Sequence, residues 1–154
     1  MDESPTEFDL PVGGSVDVTV TLTATPADGV EQPGTYTAQL LVNANVPQTI
    51  DPIDVTMHVT PPQNWGKLQG TVTGTDCDNT TSGLDAIVFA DSSVFSWAAQ
   101  TDKSSGHYSF WGPTGTYTLI VTSDGWRPQT TTAKVKGGKT TTVNFNLKPY
   151  PSCS

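Results

Sequence analysis

The chain is predicted to be all-β, two sandwich modules of which the first is incomplete, and three observations predict it. The tetrapeptide Gly-Thr-Tyr-Thr occurs twice, as Gly34-Thr35-Tyr36-Thr37 and Gly115-Thr116-Tyr117-Thr118, each time after a proline-bearing turn and before an apolar run. Apolar residues recur at every second position, the period of a strand with one buried face. The 14 glycines and 12 prolines punctuate these short runs, while hydrophobic residues make up only 34% of the 154. Sheets with one wet face tolerate so small an apolar fraction, because β-branched polar residues such as threonine fill the outward positions. The length fits one large domain or two small ones, and the repeated strand start favours two.

The elements follow in order. Residues 1–60 contain Phe8 and Leu10, then Val16, Val18, Val20 and Leu22 alternating with Asp17, Thr19 and Thr21, which predicts a half-buried strand. A loop through Pro26, Asp28-Gly29 and Pro33-Gly34 leads to Tyr36, Ala38, Leu40 and Val42; Ile53, Val55, Met57 and Val59 then alternate again. These few strands offer too little inward surface for an independent sandwich, which uses about seven. The first module is therefore expected to lack its opening strands. Residues 61–65 form a linker whose Pro61-Pro62 pair favours extended polyproline geometry and restricts swivelling. Residues 66–154 form the second module, with strands predicted at 67–73, 86–90, 96–101, 107–111, 116–122, 129–135 and 140–147.

Charge divides unevenly. Residues 1–62 hold nine acids and no Lys or Arg, whereas all seven basic residues and six acids lie beyond them, for a net charge of −8. No concentrated basic surface is evident, which argues against a nucleic-acid partner. The acidic half is read as a solubilising surface outside the cell; calcium binding is the minority reading, and the Asp-x-Asp-x-Asp-Gly spacing is absent. No run approaches the ~20 apolar residues of a membrane span, so no membrane partner is expected. Cys77 and Cys153 lie in polar, turn-like stretches. A disulfide between them, tying the C-terminal tail to the loop after the module's first strand, is favoured over two free thiols. Closing that loop would contribute up to ~4.5 kcal/mol.

Two resemblances sharpen this. Gly13-Gly14-Ser15-Val16-Asp17-Val18-Thr19-Val20, Pro33-Gly34-Thr35-Tyr36 and Asp54-Val55-Thr56-Met57-His58-Val59 resemble the last strands of Ig-like or fibronectin-like domains found beside catalytic domains in secreted bacterial enzymes. In the second half the quoted runs are Gly70-Thr71-Val72, Gly83-Leu84-Asp85-Ala86-Ile87-Val88, Thr101-Asp102, Gly106-His107-Tyr108-Ser109-Phe110, Gly115-Thr116-Tyr117-Thr118-Leu119, Gly125-Trp126, Gly138-Lys139-Thr140 and Phe145-Asn146-Leu147. In order and spacing they resemble the carboxypeptidase regulatory-like family over almost all of residues 66–149. That resemblance implies a seven-stranded, Greek-key, prealbumin-like sandwich that accompanies enzymes without performing their chemistry. Gly106 and Gly115 are expected at positive φ in turns, and Tyr108, Phe110, Tyr117 and Leu119 on one inner face.

Chemistry is sparse. His58, out of phase with Met57 and Val59, is expected on the wet or domain-facing side of its strand. A Ser/His/Asp site sketched from Asp102, Ser104, Ser105 and His107 falls within one hairpin turn, whereas a working triad draws its groups from separate elements. No catalytic, metal or cofactor residues are assigned. An isopeptide bond from Lys67 to Asn144 or Asn146, as in related surface-adhesin modules, is disfavoured because residues 66–154 contain no glutamate. Asn79-Thr80-Thr81 is a glycosylation sequon in a polar loop. Trp126 is assigned to packing by the family resemblance. Trp97 and Trp111 are the candidate binding residues, as stacking platforms for sugar rings or peptide anchors, with interdomain packing as the alternative.

The resulting expectation is a monomeric, extracellular or cell-surface accessory module. It would space or dock a larger secreted protein such as a subtilisin-like peptidase, with the parent's own domains and an extracellular polysaccharide or protein substrate as partners. A carbohydrate- or protein-binding module and an adhesin or stalk repeat are the alternatives.

Overall fold

The computed structural model describes residues 1–47 and 49–150. The chain divides into two units, Met1–Thr60 and Pro61–Ser154. No α-helix occurs among the described residues; the one helical turn is a 3-10 turn at Pro26–Asp28.

In the first unit β1 (Asp2–Ser4) pairs with β2 (Thr19–Thr21), and β3 (Gly34–Leu40) pairs with β4 (Ile53–Val59), both antiparallel. The strand expected over 16–22 is thus confined to three residues, Thr19–Thr21. Along its apolar row Val16, Val18 and Leu22 are exposed and Val20 is half-buried. The β3–β4 register sets Tyr36 opposite Met57, Ala38 opposite Val55 and Leu40 opposite Ile53, so one face of the ribbon is apolar. None of the described residues of this unit is buried.

The second unit is a sandwich. β5 (Trp65–Thr75) is its long central strand, followed by β6 (Thr81–Gly83), β7 (Ile87–Asp91), β8 (Ser96–Gln100) and β9 (His107–Pro113). β10 (Gly115–Thr122), β11 (Gln129–Val135), β12 (Thr140–Thr142) and β13 (Phe145–Leu147) complete it. One sheet runs β11–β10–β7–β8. The other is built on β5, which pairs antiparallel with β6 and β9 on one side and parallel with β12 and β13 on the other. Alternate side chains of the two sheets meet in an apolar interior that includes Leu68, Val72, Tyr108, Phe110, Tyr117, Leu119 and Leu147. Tyr108 and Phe110 come from one sheet and Tyr117 and Leu119 from the other, so they line facing surfaces and not a single one. Phe110 and Tyr117 bridge them edge to face, with ring centroids 6.4 Å apart.

The two Gly-Thr-Tyr-Thr copies share a hydrogen bond as well as a sequence. Tyr36 donates its hydroxyl to the Gln32 carbonyl at 2.5 Å, and Tyr117 donates to the Pro113 carbonyl at 2.8 Å, four residues upstream in each case. The tyrosine ties the turn to the strand it opens, the device known as a tyrosine corner. Gly106 has φ 70°, as expected of its turn, but Gly115 is not among the positive-φ glycines. It is the first residue of β10 and has extended-strand partners, so its conformational freedom is not used.

The strand predicted over 140–147 is interrupted, and β5 explains why. The inward positions of β5 alternate small and large: Gly66, Leu68, Gly70, Val72, Gly74. At Gly70 a Cβ would lie 1.7 Å from the Val143 carbonyl oxygen, so the backbone between β12 and β13 crosses where a side chain would stand. There the Val143 carbonyl accepts from the Tyr108 hydroxyl at 2.7 Å, and Asn144 Oδ1 accepts from the Thr71 amide at 2.9 Å, replacing a ladder bond. Two short strands with a side-chain patch between them take the place of one continuous strand.

Candidate functional site

The turn 101–107 holds the densest polar cluster. Thr101 is buried, donating from Oγ1 to the Leu84 carbonyl at 2.6 Å and accepting from the Ala86 amide at 2.7 Å, which joins β8's end to the start of β7. Asp102 Oδ1 accepts from Ser104 Oγ at 2.6 Å, from Ser105 Oγ at 2.9 Å and from both backbone amides, at 3.1 and 2.9 Å. These bonds, the Ser104 hydroxyl first, hold its carboxyl well below the usual carboxylate range. His107 enters through its backbone amide, which donates to Ser105 Oγ at 3.2 Å. The serine protons therefore point at the aspartate and not at the imidazole. That geometry closes a turn; a nucleophile would need its hydroxyl against the base.

The other singled-out residues are dispersed. His58 Nδ1 lies 3.0 Å from Thr35 Oγ1, its cross-strand neighbour on the face opposite Met57. Lys67 is flanked in the ladder by Trp111 and Thr140, while Asn146 stands opposite Thr73. Thr73 lies six residue steps along the strand from Lys67, roughly 20 Å. Asn146 Nδ2 donates instead to Thr73 and Thr75 hydroxyls at 3.2 and 3.0 Å, so neither asparagine is placed for a bond to Lys67. Asp76 Oδ1 accepts from the Asp78 and Thr80 amides, shaping the turn that presents Asn79. Cys77 is not a free thiol; Cys153, its predicted partner, lies outside the described residues. No group of three or more His, Cys, Asp or Glu able to hold a metal occurs among the described residues.

The tryptophans separate by face. Trp97 sits opposite Ala90 on the inner side of the β8 edge, packs on the core and stacks on Phe95 with centroids 6.5 Å apart and planes 10° from parallel. Trp126 also packs on the core, its ring lying over Gly74. Trp111 alternates outward from Phe110 on the opposite sheet, beside Lys67. Trp97 and Trp111 thus point into different surroundings and do not form one platform.

One surface escaped the sequence. Ile87, Phe89 and Ile120 stand on the outer face of the β11–β10–β7–β8 sheet, about two-fifths exposed, with Phe89 directly opposite Ile120. In the sequence they lie in apolar runs, Ala86 to Ala90 and Leu119 to Val121, where period two cannot say which alternate residue faces in.

Three comparisons bear on this arrangement. The model of the carboxypeptidase regulatory-like domain family matches residues 67–148. No curated protein matches the chain. Among solved structures it is similar to a minor pilin of Streptococcus agalactiae, at 19% identity and TM-score 0.47, over 66% of this chain and 55% of that one. It is similar also to the TIE protein of Bacillus anthracis, at 15% identity and TM-score 0.48, over 77% of this chain and 26% of that one. A third, a DUF3823 family protein from Bacteroides ovatus, is 20% identical with TM-score 0.43, over 55% and 45% of the two chains. The chain thus spans about half the length of the first and third and a quarter of the second.

Proposed function

The chain belongs to the carboxypeptidase regulatory-like domain family, and from that premise we propose that it is a non-catalytic accessory module of a larger extracellular or cell-surface protein. The carrying observation is the fate of the 101–107 cluster: the groups that resemble a reactive set spend their hydrogen bonds on closing a turn. The described part of the sandwich interior is apolar, apart from the doubly hydrogen-bonded Thr101. Within this reading residues 1–60 are the C-terminal part of an Ig-like domain, residues 61–65 are a linker, and the parent is a secreted hydrolase such as a subtilisin-like peptidase. Cys77 and Cys153 form a disulfide, which fits an oxidising compartment.

The purified chain, incubated with casein, a chromogenic peptide and an aryl ester, is expected to give no turnover above buffer. Turnover that His107→Ala or Ser105→Ala abolishes would sink the accessory reading. Intact mass should show no alkylation of either cysteine without reductant and two adducts after reduction.

A further inference from the structure

Going beyond the accessory role, and independent of what the parent catalyses, we propose that β8 pairs antiparallel with β8 of a second copy of this chain, about a two-fold axis at Ala98. The pair replaces the monomer expected from the sequence. β8 ends its sheet, with β7 on one side and, among the described residues, no strand on the other. The Thr101 amide donates to the Ala86 carbonyl and the Ser92 amide to the Phe95 carbonyl, both at 2.9 Å. Bonded pairs fall on alternate residues of an antiparallel ladder, so between those two bonds Trp97 and Ala99 turn their backbone groups towards Ala90 and Val88. Ser96, Ala98 and Gln100 therefore turn theirs to the open edge. The other edges of the sandwich are guarded. β11 carries Lys134, whose carbonyl accepts from Thr141 Oγ1 at 2.8 Å, and β9 carries His107 and ends in Gly112-Pro113. β6, β12 and β13 are only three residues each. β8 is longer and has no charged residue, proline or glycine.

The occupant is a second copy because β8 is complementary to itself. With Ala98 opposite the partner's Ala98, Ser96 faces the partner's Gln100 and these pairs exchange their free backbone bonds, while Trp97 faces the partner's Ala99. Each larger side chain meets a smaller one. On the inner side the match has room: β6 and β9 pair with different stretches of β5 on one flank and β12 and β13 on the other, so the β5 sheet is narrower than the one that β8 ends. Trp97 packs on the core and yet stays half-buried, and the partner's Ala99 covers its open side. On the outer side the row Ile120, Phe89, Ala98 continues across the axis into its own copy, joining two exposed apolar patches into one band. Charge does not oppose the contact, since residues 63–154 hold seven basic residues and six acids. A five-residue edge covers less than the ~1,600 Å² of a standard stable interface, so the pairing is weak and follows concentration.

Sedimentation of the full chain from about 5 to about 500 μM is expected to show a mean mass rising from one copy towards two. Ala98→Lys sets like charges against each other on the axis and should weaken association at least about tenfold. Thr132→Lys, on the outer face of the opposite edge strand β11, should leave it unchanged. Near-UV circular dichroism of dilute Ala98→Lys checks its fold. Oxidative cross-linking, with the parent chain as baseline, reads the register separately. Opposed Cα atoms of a bonded pair lie about 5.5 Å apart, within disulfide reach, so Ala98→Cys should give a covalent dimer at least about tenfold faster than Ser96→Cys, whose two copies would stand roughly 13 Å apart. A mass of one copy at every concentration would overturn the proposal and leave the edge to a strand of another protein. Association that Ala98→Lys leaves intact would place the contact elsewhere and overturn it, as would Ser96→Cys cross-linking as fast as Ala98→Cys.

Discussion

Tyr117 compresses several layers of the fold into one side chain. Its ring is fully buried between the sheets, and its hydroxyl secures the turn before β10 through the Pro113 carbonyl. Tyr117→Phe keeps the ring and orphans that carbonyl, so it should cost about 1–2 kcal/mol in denaturant unfolding with an unchanged m-value. Tyr108 makes the corresponding bond to Val143, and burial pushes its phenol well above the usual value; Tyr117 is raised for the same reason, with a hydrogen bond involving Ser92 opposing it. Both are more easily ionised unfolded than folded. Their contribution is therefore complete below the unfolded pKa of about 10 and is lost as pH rises through and beyond it. Melting temperature measured from pH 8 to 12 should fall steeply from about pH 10, and Tyr108→Phe should flatten that fall.

At the scale of elements, β5 and the chain that crosses it decide the sandwich. Alternation along β5 was legible in residues 67–73, but its glycines carried no visible sign of what lies over them. Gly70→Ala would drive a Cβ into the Val143 carbonyl at 1.7 Å and should cost about 3 kcal/mol or more, or prevent folding. Gly115→Ala meets nothing closer than a Tyr117 ring carbon at 3.9 Å, at ordinary φ, and should stay within about 0.5 kcal/mol of the parent. Parallel unfolding curves of the two variants check this contrast. The same logic explains the interrupted last strand: threonine and asparagine alternation over 140–147 reads as one ladder, whereas the approach of Val143 to Gly70 requires a break.

At the scale of the whole molecule the two units differ in how much they bury. The second holds every buried residue described, while the first, with its nine acids and no Lys or Arg, presents two short ribbons and an exposed apolar row. Two-stranded ribbons are marginal alone, and unbalanced charge adds self-repulsion. Residues 61–154 expressed separately are expected to unfold cooperatively, with a melting temperature within a few degrees of the full chain's main transition. Residues 1–60 alone should show no cooperative transition by calorimetry, and a sharp endotherm from that fragment would contradict this.

Period-two alternation and turn residues, read along the chain alone, determined that it is all-β, where β5 and β7 to β11 lie, though not the short β6, and that Tyr108, Phe110, Tyr117 and Leu119 are interior, because inward and outward positions follow from the pleat. Which strands share a sheet, that Trp97 turns inward, that Trp111 stands beside Lys67, and that a backbone crosses Gly70 were decided only in three dimensions. Those are contacts between residues far apart in sequence, and a local pattern carries no record of its distant neighbours.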